Sequence, residues 1–240
     1  MRARVDRRPR AGYHSGFRIP RRILAALPLL AAACAARGAT RTEPPPDPAL
    51  AREAVQATAP RRTLQIMFDW SARERDARFS GRGVARVQPP YHARLDLFGP
   101  RGEAYLTAAL VDDDLRLPPA AREAPVPPPP LLWSVLGVFW PPPGAELRST
   151  ARDGGAVRLE YGRGAERWVF RLEGGRLRFA EWRPAEGGRH TVDLQPGEEN
   201  GPPREAVYRD WAAFAELVLT LDSVEDVPSF SPDIWAPHEP

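Results

Sequence analysis

The sequence lacks lysine entirely and contains one cysteine, Cys34, among its 240 residues. A single cysteine excludes a disulfide within the chain, so an oxidising compartment adds no internal cross-link to this fold. All 34 basic residues are arginines. They are interleaved with acids instead of clustered, which argues against a nucleic-acid partner. No apolar run approaches the ~20 residues of a membrane-spanning helix, so we expect no spanning segment.

The first 34 residues have the parts of a secretory signal. Residues 1–22 are rich in arginine, residues 23–33 form an 11-residue apolar run, and alanines stand directly before Cys34. The stretch Leu30–Ala31–Ala32–Ala33–Cys34 resembles a bacterial lipobox, in which the cysteine becomes the lipid-bearing first residue of the mature protein. The alternative is an ordinary secretory signal with an incidental cysteine. We expect residues 1–33 to be removed and the lipid on Cys34 to tether the chain to a membrane.

The signal segment carries the basic charge of the chain. Eight of the arginines and one acid, Asp6, lie in residues 1–22. Removing residues 1–33 therefore changes the formal charge from +3 to about −4, because 26 arginines then face 30 acids.

After Cys34 the sequence divides into a tether and a domain. Residues 34–61 are rich in proline and alanine, and such a stretch buries too little apolar surface to offset its ordering entropy. Residues 49–57 have the composition of a short helix, but its apolar face is mostly alanine, so we assign it to the tether. We expect residues 62–235 to form one domain with its own core and residues 236–240 to be a tail.

The domain has β-strand patterns almost throughout. Large apolar residues alternate with polar ones, as in the run from Leu64 to Trp70. Gly99–Pro100–Arg101–Gly102 and Gly174–Gly175 are turn signals, and both positions of the second favour positive φ. We count roughly ten strands at hairpin spacing. The pattern predicts a mainly β fold: an antiparallel curved sheet forming an incomplete, half-open β-barrel with short capping helices.

One segment breaks the alternation. Residues 131–140 lie between two proline runs and are apolar on all sides, which suits neither a surface helix nor an edge strand. Pro130 suits a first helical position and Gly137 a carboxyl-terminal cap, so we predict a two-turn helix against the sheet. This segment either completes the core or forms a lid over an apolar cavity.

The order and spacing of these motifs resemble the LolA/LolB family, incompletely closed β-barrels that carry or receive bacterial lipoproteins. The stretch from His92 to Leu106 resembles the arginine-bearing third strand, Pro-x-Gly turn and fourth strand of that family. Leu131–Gly137 resembles its Leu-x-x-Trp/x-Leu-Gly helix, and Arg167–Phe170 follows in the expected order. The resemblance covers about residues 62–235.

Such a resemblance implies an apolar cavity that houses acyl chains between the sheet and its capping helices. Burial of each CH₂ is worth ~0.8 kcal/mol, so the cavity needs no catalytic group to hold a lipid. The candidate inward-facing residues are Leu64, Ile66, Phe68, Leu95, Leu97, Leu106, Trp133, Leu136, Phe139, Trp168 and Phe170. For each of them the alternative is plain core packing.

Two arginines stand at positions that matter in the family. Its outer-membrane receptor presents an exposed Leu after the turn proline, whereas this chain has Arg101 at that loop tip. An arginine engages headgroup phosphates or acidic surfaces and does not insert into acyl chains. Arg94 matches an arginine of the third strand, and we expect it to lie on a solvated strand face.

No pattern indicates an enzyme. His14, His92, His190 and His238 include no pair at metal-ligand spacing, and no Gly-x-Ser-x-Gly elbow or glycine-rich phosphate loop occurs. Asp112–Asp113–Asp114 is more typical of a solvated hairpin tip than of a cation site. We therefore predict no catalytic residues, no metal and no cofactor.

These inferences predict a monomeric, lipid-anchored envelope protein on the periplasmic face of the outer membrane. Its expected partners are acyl chains or lipoproteins. The alternative is a non-enzymatic sensor or interaction module of the RseB type, which uses a similar barrel to bind a periplasmic protein partner. A continuous cavity favours the first function, and a filled core with an exposed apolar patch favours the second.

Overall fold

A computed structural model describes residues 44–119 and 126–236, which lie in a compact unit extending from Glu43 to Pro240. This part forms a 12-stranded antiparallel sheet with two short helices, α1 (Pro48–Thr58) and α2 (Pro129–Val135), and a 3-10 turn at Pro232–Trp235. The strands are β1 (Leu64–Glu74), β2 (Ala77–Gln88), β3 (His92–Phe98), β4 (Ala104–Val111), β5 (Asp114–Arg116), β6 (Glu146–Asp153), β7 (Ala156–Arg163), β8 (Glu166–Glu173), β9 (Arg176–Arg183), β10 (His190–Gln195), β11 (Glu205–Asp210) and β12 (Ala215–Asp226). Neither helix in these ranges has the length and apolar character needed to cross a membrane.

The sheet is an antiparallel meander whose first and last strands meet at its middle. The strand order is β5-β4-β3-β2-β1-β12-β11-β10-β9-β8-β7-β6, and β1 pairs with β12 from Leu64↔Asp226 to Glu74↔Ala215. Strands β5 and β6 are the two edges and do not pair with each other in the described part of the chain. The sheet is therefore not closed, and the predicted open β architecture with short helices is confirmed.

Successive strands reverse at two ends of the sheet, which we call the first and second rims. Glu74 at the end of β1 pairs with both Ala77 and Ala215, so the β1–β2 and β11–β12 turns lie side by side at the first rim. The β3–β4, β7–β8 and β9–β10 turns lie at the same rim because neighbouring strands are antiparallel. The β2–β3 and β10–β11 turns lie at the second rim for the same reason.

Helix α1 packs on the core, although the sequence analysis assigned its residues to the tether. The Asp47 carboxylate caps the helix by accepting a hydrogen bond from the Ala49 N–H at 2.8 Å, and Pro48 occupies the first turn. Ala54 is buried in the core cluster. The folded part of the chain therefore begins before the predicted boundary at residue 62, because the small alanine face of α1 suits close packing and not a free tether.

The strand count differs from the prediction at one edge. The sequence predicted roughly ten strands and missed β6, which has few large apolar side chains. As an edge strand, β6 pairs only with β7. Edge strands are often charged, so the apolar alternation that identifies a strand from sequence is weak there.

The predicted turn and cap glycines adopt the expected conformations. Gly174 and Gly175 have φ values of 56° and 75°, as a tight two-residue hairpin requires. The Gly102 N–H donates to the Gly99 carbonyl at 3.0 Å, closing the β3–β4 turn. Gly137 follows the end of α2 with φ 81°, the left-handed conformation in which glycine often ends a helix.

Candidate functional site

The candidate site is the inner face of the sheet, defined as the apolar face on which α2 packs. Ile66, Phe68 and Trp70 of β1 are buried on this face, because alternate side chains of a strand share a side. Gly83 and Gly81 of β2 lie directly opposite Phe68 and Trp70. A Cβ atom on Gly83 would come within 2.3 Å of the Phe68 ring. The two glycines therefore make room for the large rings of β1.

Helix α2 and the residues after it fill the space above the inner face. Leu131, Trp133 and Phe139 are fully buried. The Trp133 indole N–H donates to the Asp112 carbonyl at 2.8 Å, and the Phe139 backbone N–H donates to the Thr58 hydroxyl at 2.9 Å. These bonds join the segment to the β4–β5 turn and to α1. In this structure Leu131, Trp133 and Phe139 are therefore packed as core, whereas Leu136 and Trp140 are partly buried.

The structure places all eleven predicted cavity residues in or against one apolar cluster. Seven are buried members of it: Ile66, Phe68, Leu97, Trp133, Phe139, Trp168 and Phe170. The other four are partly buried and pack against it: Leu64, Leu95, Leu106 and Leu136. Eight of the eleven lie in strands, and for these the alternation of the sequence identified residues that share a side of the sheet.

A small pocket lies between some of these residues. A pocket of about 30 Å³ lies between α2, β1, β12 and the β10–β11 loop, where Phe68, Leu136, Leu219 and Pro203 are among its walls. That volume accommodates about one water molecule, whereas small-molecule sites usually measure ~300–1,000 Å³. A pocket of this size does not hold an acyl chain, so loading at this place requires α2 or the loop to move.

A row of aromatic rings crosses four strands at the first-rim end of the inner face. The ring centroids are separated by 5.2 Å between Trp168 and Trp182, 4.8 Å between Trp182 and His190, and 6.2 Å between His190 and Tyr208. The Tyr208 hydroxyl lies 3.0 Å from Nδ1 of His190. Burial raises the pKa of Tyr208, and the charge of Asp210 raises it further, so its phenol stays neutral.

The buried indole N–H of Trp168 has no hydrogen-bond partner among the described residues. Sequence reasoning identified Trp168 but missed Trp182, His190 and Tyr208. Their stacking depends on the register of four strands, and a local sequence pattern does not specify register.

On the outer face, Asp96 forms a buried ionic network. Its carboxylate accepts hydrogen bonds from Arg86 at 2.6 Å, Arg94 at 2.9 Å and Thr107 at 3.0 Å, and it is 3% exposed. Arg94 also donates to the Ile234 carbonyl at 3.0 Å, which attaches the carboxyl-terminal 3-10 turn to β3. The expectation of a solvated Arg94 was wrong, because a segment 140 residues away covers this strand.

The two remaining sequence predictions concern Arg101 and Cys34. Arg101 is exposed in the β3–β4 turn, and its backbone N–H donates to the Glu103 carboxylate at 2.9 Å. Arg101 therefore lies in the β3–β4 turn at the first rim. Cys34 and the signal segment lie outside the described residues.

The inner face offers mainly apolar burial. Burial raises the pKa of the Tyr161 phenol to about 12, which keeps it neutral. Within residues 44–119 and 126–236, no group of three or more His, Cys, Asp or Glu side chains is placed to hold a metal ion. The arrangement presents an apolar face that α2 covers.

The fold has counterparts among solved structures. A LolA superfamily protein from Nitrosomonas europaea matches with a TM-score of 0.53 and 12% identity, covering 79% of this chain and 97% of that chain. A protein from Vibrio parahaemolyticus described as an outer membrane lipoprotein-sorting domain gives 0.46 and 9%, with coverages of 78% and 94%. The MucA/MucB complex of Pseudomonas aeruginosa gives 0.25 and 11%, with coverages of 75% and 98%.

The similarity to the Nitrosomonas europaea protein, with a TM-score above 0.5, shows the class of fold. No protein-family model and no curated protein matches the sequence. The chain has a LolA/LolB-like fold, as its motifs predicted.

Proposed function

We propose that this protein is a lipid-anchored envelope protein that binds acyl chains or lipoprotein lipid between α2 and the inner face. The observation that carries the proposal is the convergence of the predicted apolar residues on one cluster within a LolA/LolB-like fold. Its role is in lipoprotein transport or outer-membrane biogenesis. The lipid on Cys34 holds it at the periplasmic face of the outer membrane.

Lipid binding in this proposal requires the interior to open. The pocket beside Leu136 is a gap in the packing, and Pro202 and Pro203 of the β10–β11 loop are among its walls. A Cβ atom on Gly137 would lie 3.0 Å from Cδ of Pro203, so this loop touches the end of α2. Separation of the loop from α2 exposes apolar surface, and each CH₂ of an incoming chain recovers ~0.8 kcal/mol.

The test locks the loop to the helix. Residues 35–240 contain the compact unit without Cys34, so Gly137→Cys with Pro203→Cys supplies the only thiols. Lipid that co-purifies or is added as lipopeptide is detected by native mass spectrometry. We expect a stoichiometric adduct in the reduced protein and none in the oxidised one.

A matched control lies at the first rim. Cβ atoms at Gly188 and Ala212 are 3.8 Å apart, which suits a disulfide, and Gly188, like Gly137, has positive φ. Oxidation of a Gly188→Cys/Ala212→Cys variant is expected to leave lipid binding intact. Equal binding in both oxidised proteins contradicts loading beside α2, and no adduct in any protein contradicts the function itself.

A second function, a non-enzymatic module for a protein partner, is supported by the small size of the pocket beside α2. Such a module needs no rearrangement of α2, because a partner binds the outside of the domain. A clean apo mass that also rejects added lipopeptide favours this function over the lipid carrier.

A further inference from the structure

Most of the exposed large apolar side chains lie at one end of the sheet. In the described ranges five such residues are exposed: Phe79 (40%), Tyr105 (50%), Trp211 (50%), Phe214 (78%) and Val224 (37%). The first four stand beside the β1–β2, β3–β4 and β11–β12 turns and form what we call the aromatic rim. Val224 lies toward the opposite end of β12, where it pairs with Ile66. All the exposed aromatic residues of this group are therefore at the first rim.

Phe214 has a backbone conformation that bulky residues rarely adopt. Its φ is 55°, in the left-handed region that glycine and asparagine adopt more readily than bulky residues. The side chain is 78% exposed, so packing within the domain does not explain it. Strained residues of this kind concentrate at functional sites.

A groove of about 340 Å³ lies at the same rim, between the ends of β12, β1 and β2. Arg73 and Arg78 line it and are directly opposite each other across the β1–β2 ladder. Like charges at directly opposed positions repel. Neither guanidinium forms a salt bridge with any residue that the structure describes.

The other walls of the groove add hydroxyl groups and one carboxylate. Ser71 and Ser80 face each other in the neighbouring row, and Phe79 of the aromatic rim is also a wall. Glu216 lies opposite Arg73, but its carboxylate accepts a hydrogen bond from Arg209 at 2.7 Å. Two free guanidiniums beside two hydroxyls match the oxygen atoms of a phosphate group.

We propose that the first rim docks on the surface of an anionic phospholipid membrane. The aromatic rim enters the headgroup–acyl boundary, and Arg73 and Arg78 contact lipid phosphates. The exposed rings are distributed over three separate turns, which suits a fluid lipid surface better than one rigid partner. The complementary charge of the arginine pair selects anionic headgroups. The proposal goes beyond the proposed function because it needs no lipid in the interior.

The experiment measures binding of residues 35–240 to vesicles by flotation. The vesicles are phosphatidylcholine alone or phosphatidylcholine with phosphatidylglycerol. We expect the mixed vesicles to bind more tightly, and Trp211→Ser with Phe214→Gly to weaken that binding by about ten-fold or more. Arg73→Glu with Arg78→Glu is expected to weaken binding to the mixed vesicles by about ten-fold, so that the preference for anionic vesicles is lost.

Three variants separate membrane contact from folding. Val224→Ser removes an exposed apolar side chain away from the rim, and Arg52→Glu reverses an exposed charge on α1. Both are expected to bind vesicles like the unmodified protein. Phe214→Gly alone is expected to bind vesicles less while resisting urea as well or better, because glycine accepts the positive φ.

Four results would overturn the proposal. Two are the absence of vesicle binding by the unmodified protein and equal binding by the rim and control variants. A change in oligomeric mass caused by the rim variants would assign the rim to an interface between copies of the chain. Saturable binding of inorganic phosphate at Arg73 and Arg78 without vesicle binding would assign the groove to free phosphate. Lipid loading of the interior is measured separately, so either proposal can fail while the other stands.

Discussion

Gly83 lies directly opposite Phe68 across the β1–β2 ladder, and a Cβ atom at this glycine would come within 2.3 Å of the Phe68 ring. The same strand places Gly81 opposite Trp70 and Ala85 opposite Ile66. Small residues on β2 therefore complement large residues on β1 along the inner face.

Gly83→Ala is expected to lower the free energy of unfolding by about 1–3 kcal/mol, because the added methyl group displaces the Phe68 ring in a packed core. Gly155→Ala in the β6–β7 turn is the matched control, since nothing lies within 4 Å of its Cβ position. We expect the control to change stability by less than about 0.5 kcal/mol. Urea unfolding measures both, and equal effects would contradict the steric argument.

Trp133→Ala is expected mainly to lower stability, and Leu136→Asp mainly to lower lipid binding. Trp133 is fully buried and hydrogen-bonded, so its removal costs about 3–5 kcal/mol of stability. Leu136 is half-buried at the pocket, so its substitution is expected to reduce lipid binding more than stability. Urea unfolding and lipopeptide titration are compared for the two proteins. If Leu136→Asp lowers both equally, the end of α2 is core and not a lid.

Asp96→Asn is expected to destabilise the protein by about 3–5 kcal/mol, because it leaves Arg86 and Arg94 without their shared buried carboxylate. Asp69→Asn is the exposed counterpart, since Asp69 lies 3.8 Å from Arg82 at the surface. We expect that change to cost less than about 1 kcal/mol. Hydrogen exchange of residues 232–235 reports release of the 3-10 turn. Unchanged protection there in Asp96→Asn would show that the network does not hold the turn.

Glu181→Gln is expected to have a pH-dependent effect. Burial by itself raises the pKa of Glu181, but hydrogen bonds and charges of Arg183 and Arg189 outweigh burial and lower it below the ordinary value of 4.5. A depressed carboxyl pKa stabilises the fold above the ordinary value, and that stability is lost as the pH falls through the folded-state pKa. The stability difference between the two proteins should therefore be largest near neutral pH and shrink below about pH 4.5. A constant difference across this range of urea titrations contradicts the assignment.

The sequence identified the inner-face residues because side-chain direction along a strand is a local property. Alternation from Leu64 to Trp70 places Ile66 and Phe68 on one side of the strand, independently of contacts with the rest of the chain. The proline runs and Gly137 likewise marked α2. Strand β6 was missed because a charged edge strand lacks this alternation, and α1 was assigned to the tether because alanine gives little signal of burial.

The space inside the cluster was decided only by the tertiary structure. Phe68, Leu136 and Pro203 meet at one small pocket, although they come from distant parts of the chain. The volume of that pocket depends on how these segments pack together, which a local sequence pattern does not specify. The register of paired strands likewise aligned Trp182 with His190 and placed Arg73 opposite Arg78. Alternation determines the side on which a residue lies, while register and packing determine its neighbours, because both depend on contacts between segments far apart in sequence.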